Sequence, residues 1–156
     1  MNLLQFPDTR QRHLGRAIAL QARQQGDQAF ILCGDTCITF AEANQRVNAL
    51  AAGLAGLGLA AGERVAFYMD SGPEVIYLAL AASKLGAVWV PINTDYKGAW
   101  LEDTVTRSRP HILVTDAAHT GRIGEVRAGL QVQHLVVLGE QGALVDAVDF
   151  DALYLA

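Results

Sequence analysis

A chain of 156 residues is long enough for one domain with a buried core and too short for two of ordinary size. A net charge of −4 with no Lys/Arg run speaks against a nucleic-acid surface. With 18% charged and 51% hydrophobic residues, the composition implies some apolar surface meant to face something else. The longest uncharged stretch, residues 47–62, is too short and too rich in glycine to span a bilayer, so no transmembrane segment is expected.

The first thirteen residues lack the basic-then-apolar order of a secretory signal. Leu14, Ala17, Ile18 and Ala22 then recur at helical spacing, predicting an amphipathic helix over residues 12–25 that stops at Gly26-Asp27. Residues 29–33 and 36–39 read as two short strands around a Gly34-Asp35 turn. If Cys33 pairs with Thr36 across that hairpin, Cys37 lies opposite Leu32 on the other face. The two thiols then cannot bridge, and reduced cysteines suit a cytoplasmic protein.

Thr39-Phe40-Ala41-Glu42 matches a capping box. The helix it opens carries Val47, Leu50, Leu54 and Leu57 on one face. Its small residues Ala51, Ala52, Gly53, Ala55 and Gly56 would let a neighbouring element come close. Residues 64–69 form the first strand of a repeating unit. Ser71-Gly72-Pro73-Glu74 reads as a second capping box, which would account for Ser71. The helix over residues 73–85 is apolar on nearly every face, and Gly86 is suited to close it in the left-handed conformation.

Residues 87–90 are short and apolar, as fits a strand in the middle of a sheet, and Pro91 should force the chain out of the ladder. The loop that follows, Asn93-Thr94-Asp95-Tyr96-Lys97-Gly98, would then enter the crevice where such sheets bind ligands. A helix marked by Trp100, Leu101, Thr104, Val105 and Ser108 stops at Pro110. Residues 111–115 form another strand. Asp116 caps a helix to about Ala128 that Gly121 and Gly124 weaken, and residues 134–138 form a further strand. The tail has no clear period. Short links between these alternating elements force parallel pairing with right-handed crossovers. The expected fold is α/β: an open, mainly parallel sheet with flanking helices, preceded by a helix–β-hairpin–helix.

Chemistry-bearing motifs are few. The glycines of residues 56–62 close a helix and precede a strand, the reverse of a dinucleotide fingerprint, and no GxxxxGK[ST] loop exists. His13, His111, His119 and His134 are scattered without metal-ligand spacing and read as surface or strand-end residues; Ser83 and Ser108 have no special context. Asp95 and Lys97, with Tyr96 between them, form the one polar cluster at a plausible crevice. It is either a contact to a phosphate of substrate or cofactor, or a solvated loop charge with a helix cap. The residues define no catalytic set and no metal site.

Three stretches, in this order and spacing, carry a resemblance. Ile38-Thr39-Phe40-Ala41-Glu42 is similar to an (L/I)T(Y/F)xEL motif, with Ala43 in place of the leucine. Gly62-Glu63-Arg64-Val65-Ala66 followed by Ser71-Gly72-Pro73-Glu74 is similar to GDRVA…NSPE. Lys84 to Asn93 is similar to LKAGAxxVPxN. Together they resemble the N-terminal part of the AMP-forming acyl-CoA synthetases of the adenylate-forming superfamily. Asn93 after Pro91-Ile92 resembles acyl- and aryl-CoA ligases more than peptide-synthetase domains, and Asn-Thr-x-x-Lys-Gly followed by a helix resembles the carnitine/crotonobetaine-CoA ligase and fatty-acid transport protein branch.

The resemblance covers residues 36–138 and about the first third of such an enzyme. It implies a single partial domain: a helix–hairpin–helix segment at 1–62, a βαβαβαβ segment at 63–138 and a truncated tail at 139–156. It implies ATP, Mg2+ and coenzyme A as cofactors of the whole enzyme, none of them held by this piece alone. The remainder of the synthetase chain is the implied partner, with self-association through an exposed apolar face. The family's catalytic motifs lie downstream, so the piece alone should be inactive. Lys97 is the one residue implied to contact a cofactor, on the coenzyme A side. A stand-alone binding or assembly module is the alternative.

Overall fold

The computed structural model describes residues 8–155. A 3-10 turn at Thr9–Gln11 leads into α1 (Leu14–Gln25), the hairpin β1 (Ala29–Cys33) and β2 (Thr36–Thr39), and α2 (Phe40–Gly56). The α/β part runs β3 (Arg64–Tyr68), α3 (Pro73–Leu85), β4 (Val88–Pro91), α4 (Gly98–Ser108), β5 (Ile112–Asp116), α5 (Thr120–Val126), β6 (His134–Leu138) and β7 (Val148–Asp149). A 3-10 segment, Phe150–Leu155, follows. The five strands from β3 onward pair in parallel in the order β4-β3-β5-β6-β7.

Alternation along the strands splits the core into two layers. Val65, Phe67, Ile112, Val114 and Val136 face α1, α2, α3 and the Phe150–Leu155 segment. Ala66, Tyr68, Leu113, Leu135 and Val137 face Leu101 and Val105 of α4 and Ile123 of α5. Helices therefore cover both faces, as in a doubly wound sheet.

The hairpin register pairs Cys33 with Thr36 and Leu32 with Cys37, and both thiols are free and exposed. The Thr39–Glu42 box is complete. Thr39 Oγ accepts from the Glu42 N–H, and the Glu42 carboxylate accepts from the Thr39 N–H at 2.8 Å. The hydrogen bonds from Thr39, backbone first, hold the Glu42 carboxyl below the usual carboxylate range.

The small residues of α2 do admit a neighbour. A Cβ on Gly53 would lie 2.2 Å from Leu153 O, so the closing 3-10 segment rests directly on this helix. Gly15 gives the same access to α3, and its N–H donates to Ser83 Oγ at 3.1 Å, satisfying an orphan donor at the start of α1. Lys84 donates to Asn44 and Asn48 Oδ1, both at 2.7 Å, tying α3 to α2, and partial burial holds its ammonium below the usual lysine range.

Several expectations are corrected. β4 is an edge strand among the described residues, not a central one, and Val88 and Trp89 are exposed. Pro91 does not end the pairing. Val88 and Ile92 donate to Glu63 O and Phe67 O at 2.7 and 2.8 Å, so by alternation the Pro91 nitrogen faces the open side, where no donor is needed. Ser71 caps nothing, since α3 begins at Pro73 and its N-cap is Gly72, without a side-chain bond. A residue before proline resists helical geometry, so Gly72 cannot be the first helical residue that a Ser71 cap requires. The single helix expected after Asp116 is three pieces: a 3-10 turn at Ala117–His119, α5, and a 3-10 turn at Arg127–Gly129. The tail is ordered by tertiary contact, with β7 extending the sheet and Phe150 and Leu153 buried.

Candidate functional site

The chain leaves β3, goes to β4 on one side, then crosses back to β5 on the other. The topological switch point thus lies between the carboxyl ends of β3 and β5, the position where such sheets form a ligand crevice. Tyr68, Met69 and Asp70 leave β3 here, and Thr115 and Asp116 end β5. Thr115 Oγ1 donates to Tyr68 O at 2.7 Å, binding the two strand exits together.

Asp116 is the hub. Its Oδ1 accepts the His119 N–H at 3.1 Å, as the N-cap of the following 3-10 turn, and stands 2.6 Å from His119 Nδ1. Its Oδ2 accepts the Asp70 N–H at 2.8 Å. His119 is buried, edge-on to the Tyr68 ring at 5.2 Å, and its Nε2 stands 3.7 Å from Asp70 Oδ1.

Asp70, Asp116 and His119 bring one ligand atom each within 4.8 Å of one another. Asp116 is already committed to two N–H groups and an imidazole, which leaves only His119 Nε2 and the exposed Asp70 carboxylate as free donors. Two donors fall short of a structural metal site, and they do not match the oxygen-rich octahedron that Mg2+ needs. The group works as a latch that fixes the β3 and β5 exits.

The loop after β4 is pinned from the same side. Tyr68 Oη donates to Tyr96 O at 2.7 Å and stands 3.1 Å from Thr94 O. Arg122 of α5 donates to Thr94 O and, at 3.3 Å, to Tyr68 Oη. The Tyr68 contact first, then nearby charges including Asp95, hold the Arg122 guanidinium above its ordinary range. Asn93 Oδ1 accepts the Asp95 N–H at 2.9 Å, shaping the turn.

A cleft of about 270 Å³ lies between the exits of β3 and β4, and Asp70, Ser71, Asn93 and Thr94 supply its polar lining. The structure brings Asn93 and Thr94 to this cleft but not Lys97, which is the exposed N-cap residue of α4 and makes no side-chain cap. Asp95 is likewise exposed and caps no helix. His119, read from the sequence as a surface or strand-end histidine, is instead buried against Tyr68 and Asp116, while Asp70 and Arg122 drew no expectation. The Asp116-x-x-His119 spacing was a visible signal for the first. Asp70 stands 46 positions from Asp116, and only the topology joins them.

An open parallel sheet with helices on both faces and a carboxyl-end crevice defines the chain as a doubly wound α/β domain. The sequence profile described as "AMP-binding enzyme" matches residues 18–153, and the chain belongs to that family, corresponding to the N-terminal portion of its adenylate-forming enzymes. Crotonobetaine/carnitine–CoA ligase from Salmonella paratyphi A is 33% identical over 115 residues, covering 70% of this chain and 22% of that protein. L-proline–[L-prolyl-carrier protein] ligase from Streptomyces coelicolor is 31% identical over 127 residues, covering 81% of this chain and 23% of that protein. Malpinin synthetase from Mortierella alpina is 35% identical over 111 residues, covering 71% of this chain and 1% of that protein. The chain thus spans less than a quarter of these relatives.

Among solved structures, an anthranilate CoA ligase in complex with anthranoyl-AMP superposes with a TM-score of 0.82 at 22% identity, over 92% of this chain and 27% of that one. A long-chain-fatty-acid–CoA ligase from Archaeoglobus fulgidus gives 0.81 at 20% identity, over 97% and 30%. At these identities the superpositions establish the fold.

Proposed function

We propose that this chain is the N-terminal platform of an acyl-CoA ligase, which activates a carboxylic acid with ATP as an acyl-adenylate and passes the acyl group to coenzyme A. The likeness to crotonobetaine/carnitine–CoA ligase over 115 residues carries this reading. ATP, Mg2+ and coenzyme A serve the whole enzyme. The platform's own part is to hold the crevice wall. The segments at 1–62, 63–138 and 139–156 act as one partial domain that the rest of a synthetase completes, in the cytoplasm. Lys97, exposed at the start of α4, is a contact on the coenzyme A side.

Two assays test this reading. The chain alone, incubated with ATP, a carboxylate panel and labelled pyrophosphate, is expected to show background exchange; measurable exchange refutes its inactivity. Grafted in place of the matching segment of crotonobetaine/carnitine–CoA ligase, it is expected to preserve acyl-CoA formation. A chimera that folds but forms none contradicts the platform role.

The open edge of β4, with Val88 and Trp89 exposed on its opposite sides, and the exposed Trp100 on α4 leave apolar surface that the rest of a synthetase would cover. Left uncovered, it drives self-association, and sedimentation should show dimers or larger species growing with concentration. A clean monomer at high concentration, without binding of an apolar dye, refutes this.

A further inference from the structure

At the amino end of the sheet, opposite the crevice, a cleft of about 460 Å³ opens beside the starts of β3 and β5 and the approach to β6. Arg64, Arg109, Gln131 and Gln133 line it, together with Glu63 and His111. The ion pairs formed among the described residues, Arg107–Asp103, Arg127–Asp146 and the two histidine groups, leave both lining guanidiniums out. The one lining carboxylate forms no ion pair with either of them. Glu63 accepts the Ala60 N–H at 2.6 Å and stands 3.4 Å from His111 Nδ1, while His111 Nε2 lies 3.0 Å from Leu57 O.

Arg109 carries a second signal. It ends α4 in the left-handed conformation, with φ +46°, and every other described residue of positive φ is glycine. A non-glycine residue held there is strained, and glycine would end the helix at lower cost. Arginine, not glycine, nonetheless stands at this position beside the cleft.

We propose that this cleft binds a small oxyanion of the phosphate class, held by the Arg64 and Arg109 forks with the carboxamides of Gln131 and Gln133 as further donors. Two unpaired guanidiniums suit a group that carries between one and two negative charges near neutral pH and several acceptor oxygens. The site is separate from the carboxyl-end crevice and holds whether or not the ligase reading does.

The test is titration of the full chain with inorganic phosphate against sodium chloride at matched ionic strength, read by calorimetry and by the arginine Nε–Hε resonances. Saturable binding is expected, with the Arg64 and Arg109 signals moving. Arg109→Gln and Arg64→Gln are expected to weaken it about tenfold or more, while Arg107→Gln, which makes the same charge change on the outer face of α4, leaves it intact. Should the glutamine variants fold poorly, Arg109→Gly decides: it is expected to raise the melting temperature and still lose phosphate. Equal responses to phosphate and chloride, retained binding in Arg109→Gly, or equally tight binding of succinate would overturn the proposal.

Discussion

Replacing Gly53 with alanine is expected to cost about 3 kcal/mol, at the upper end of what overpacking usually costs, and to lower the melting temperature by about 6–12 °C. The added Cβ would stand 2.2 Å from Leu153 O and 2.7 Å from Leu153 Cα, and neither backbone atom can rotate aside. The Phe150–Leu155 segment must lift off α2 and expose Phe150 and Leu153, which are 1% and 3% accessible. Gly56→Ala, three residues along the same helix, has nothing within 4 Å of its Cβ and should be neutral or stabilising by up to about 1 kcal/mol. Thermal unfolding of both variants checks the contrast. Equal behaviour would mean that the closing segment does not rest on α2.

Asp116→Ala is expected to destabilise the chain by about 2–4 kcal/mol, combining a lost N-cap with the imidazole of buried His119 left without its partner. The carboxylate accepts from the Asp70 and His119 N–H groups and holds the buried imidazole, so its removal loosens both strand exits at once. Asp116→Asn keeps one acceptor oxygen and should lose about half as much. Amide exchange localises the effect: protection at Asp70 and His119 should fall while that at Val47 and Leu50 of α2 holds. A uniform loss, or none, would deny Asp116 its latching role.

The two predictions rest on features that were unequally legible in the sequence. Small residues along α2 announced a close approach, because a missing side chain is a local signal. The partner, Leu153, lies in a tail whose two-residue strand is too short to show any period. Gly86 ends α3 as read, with φ +71°. The strand after it was misplaced, because four apolar residues look alike at the centre and at the edge of a sheet. Pro91 held the discriminating information, since a proline inside a ladder belongs at an edge.

The site was less legible than the fold. The Asn93–Gly98 loop leaves a strand exit as expected, but its charged residues are exposed and absent from the cleft's lining. What holds the loop is Tyr68 and Arg122, from β3 and α5. Residues brought together only because parallel strands end side by side, such as Asp70 and Asp116, carry no local pattern at all.

The parallel platform is tested most directly by cross-strand nuclear Overhauser effects in the isotope-labelled chain. Pairing of Val65 with both Trp89 and Ile112 predicts amide-to-Hα contacts of parallel strands on each side of β3, and slow exchange throughout that strand. Close Hα–Hα contacts between β3 and either neighbour, the mark of antiparallel pairing, would contradict it.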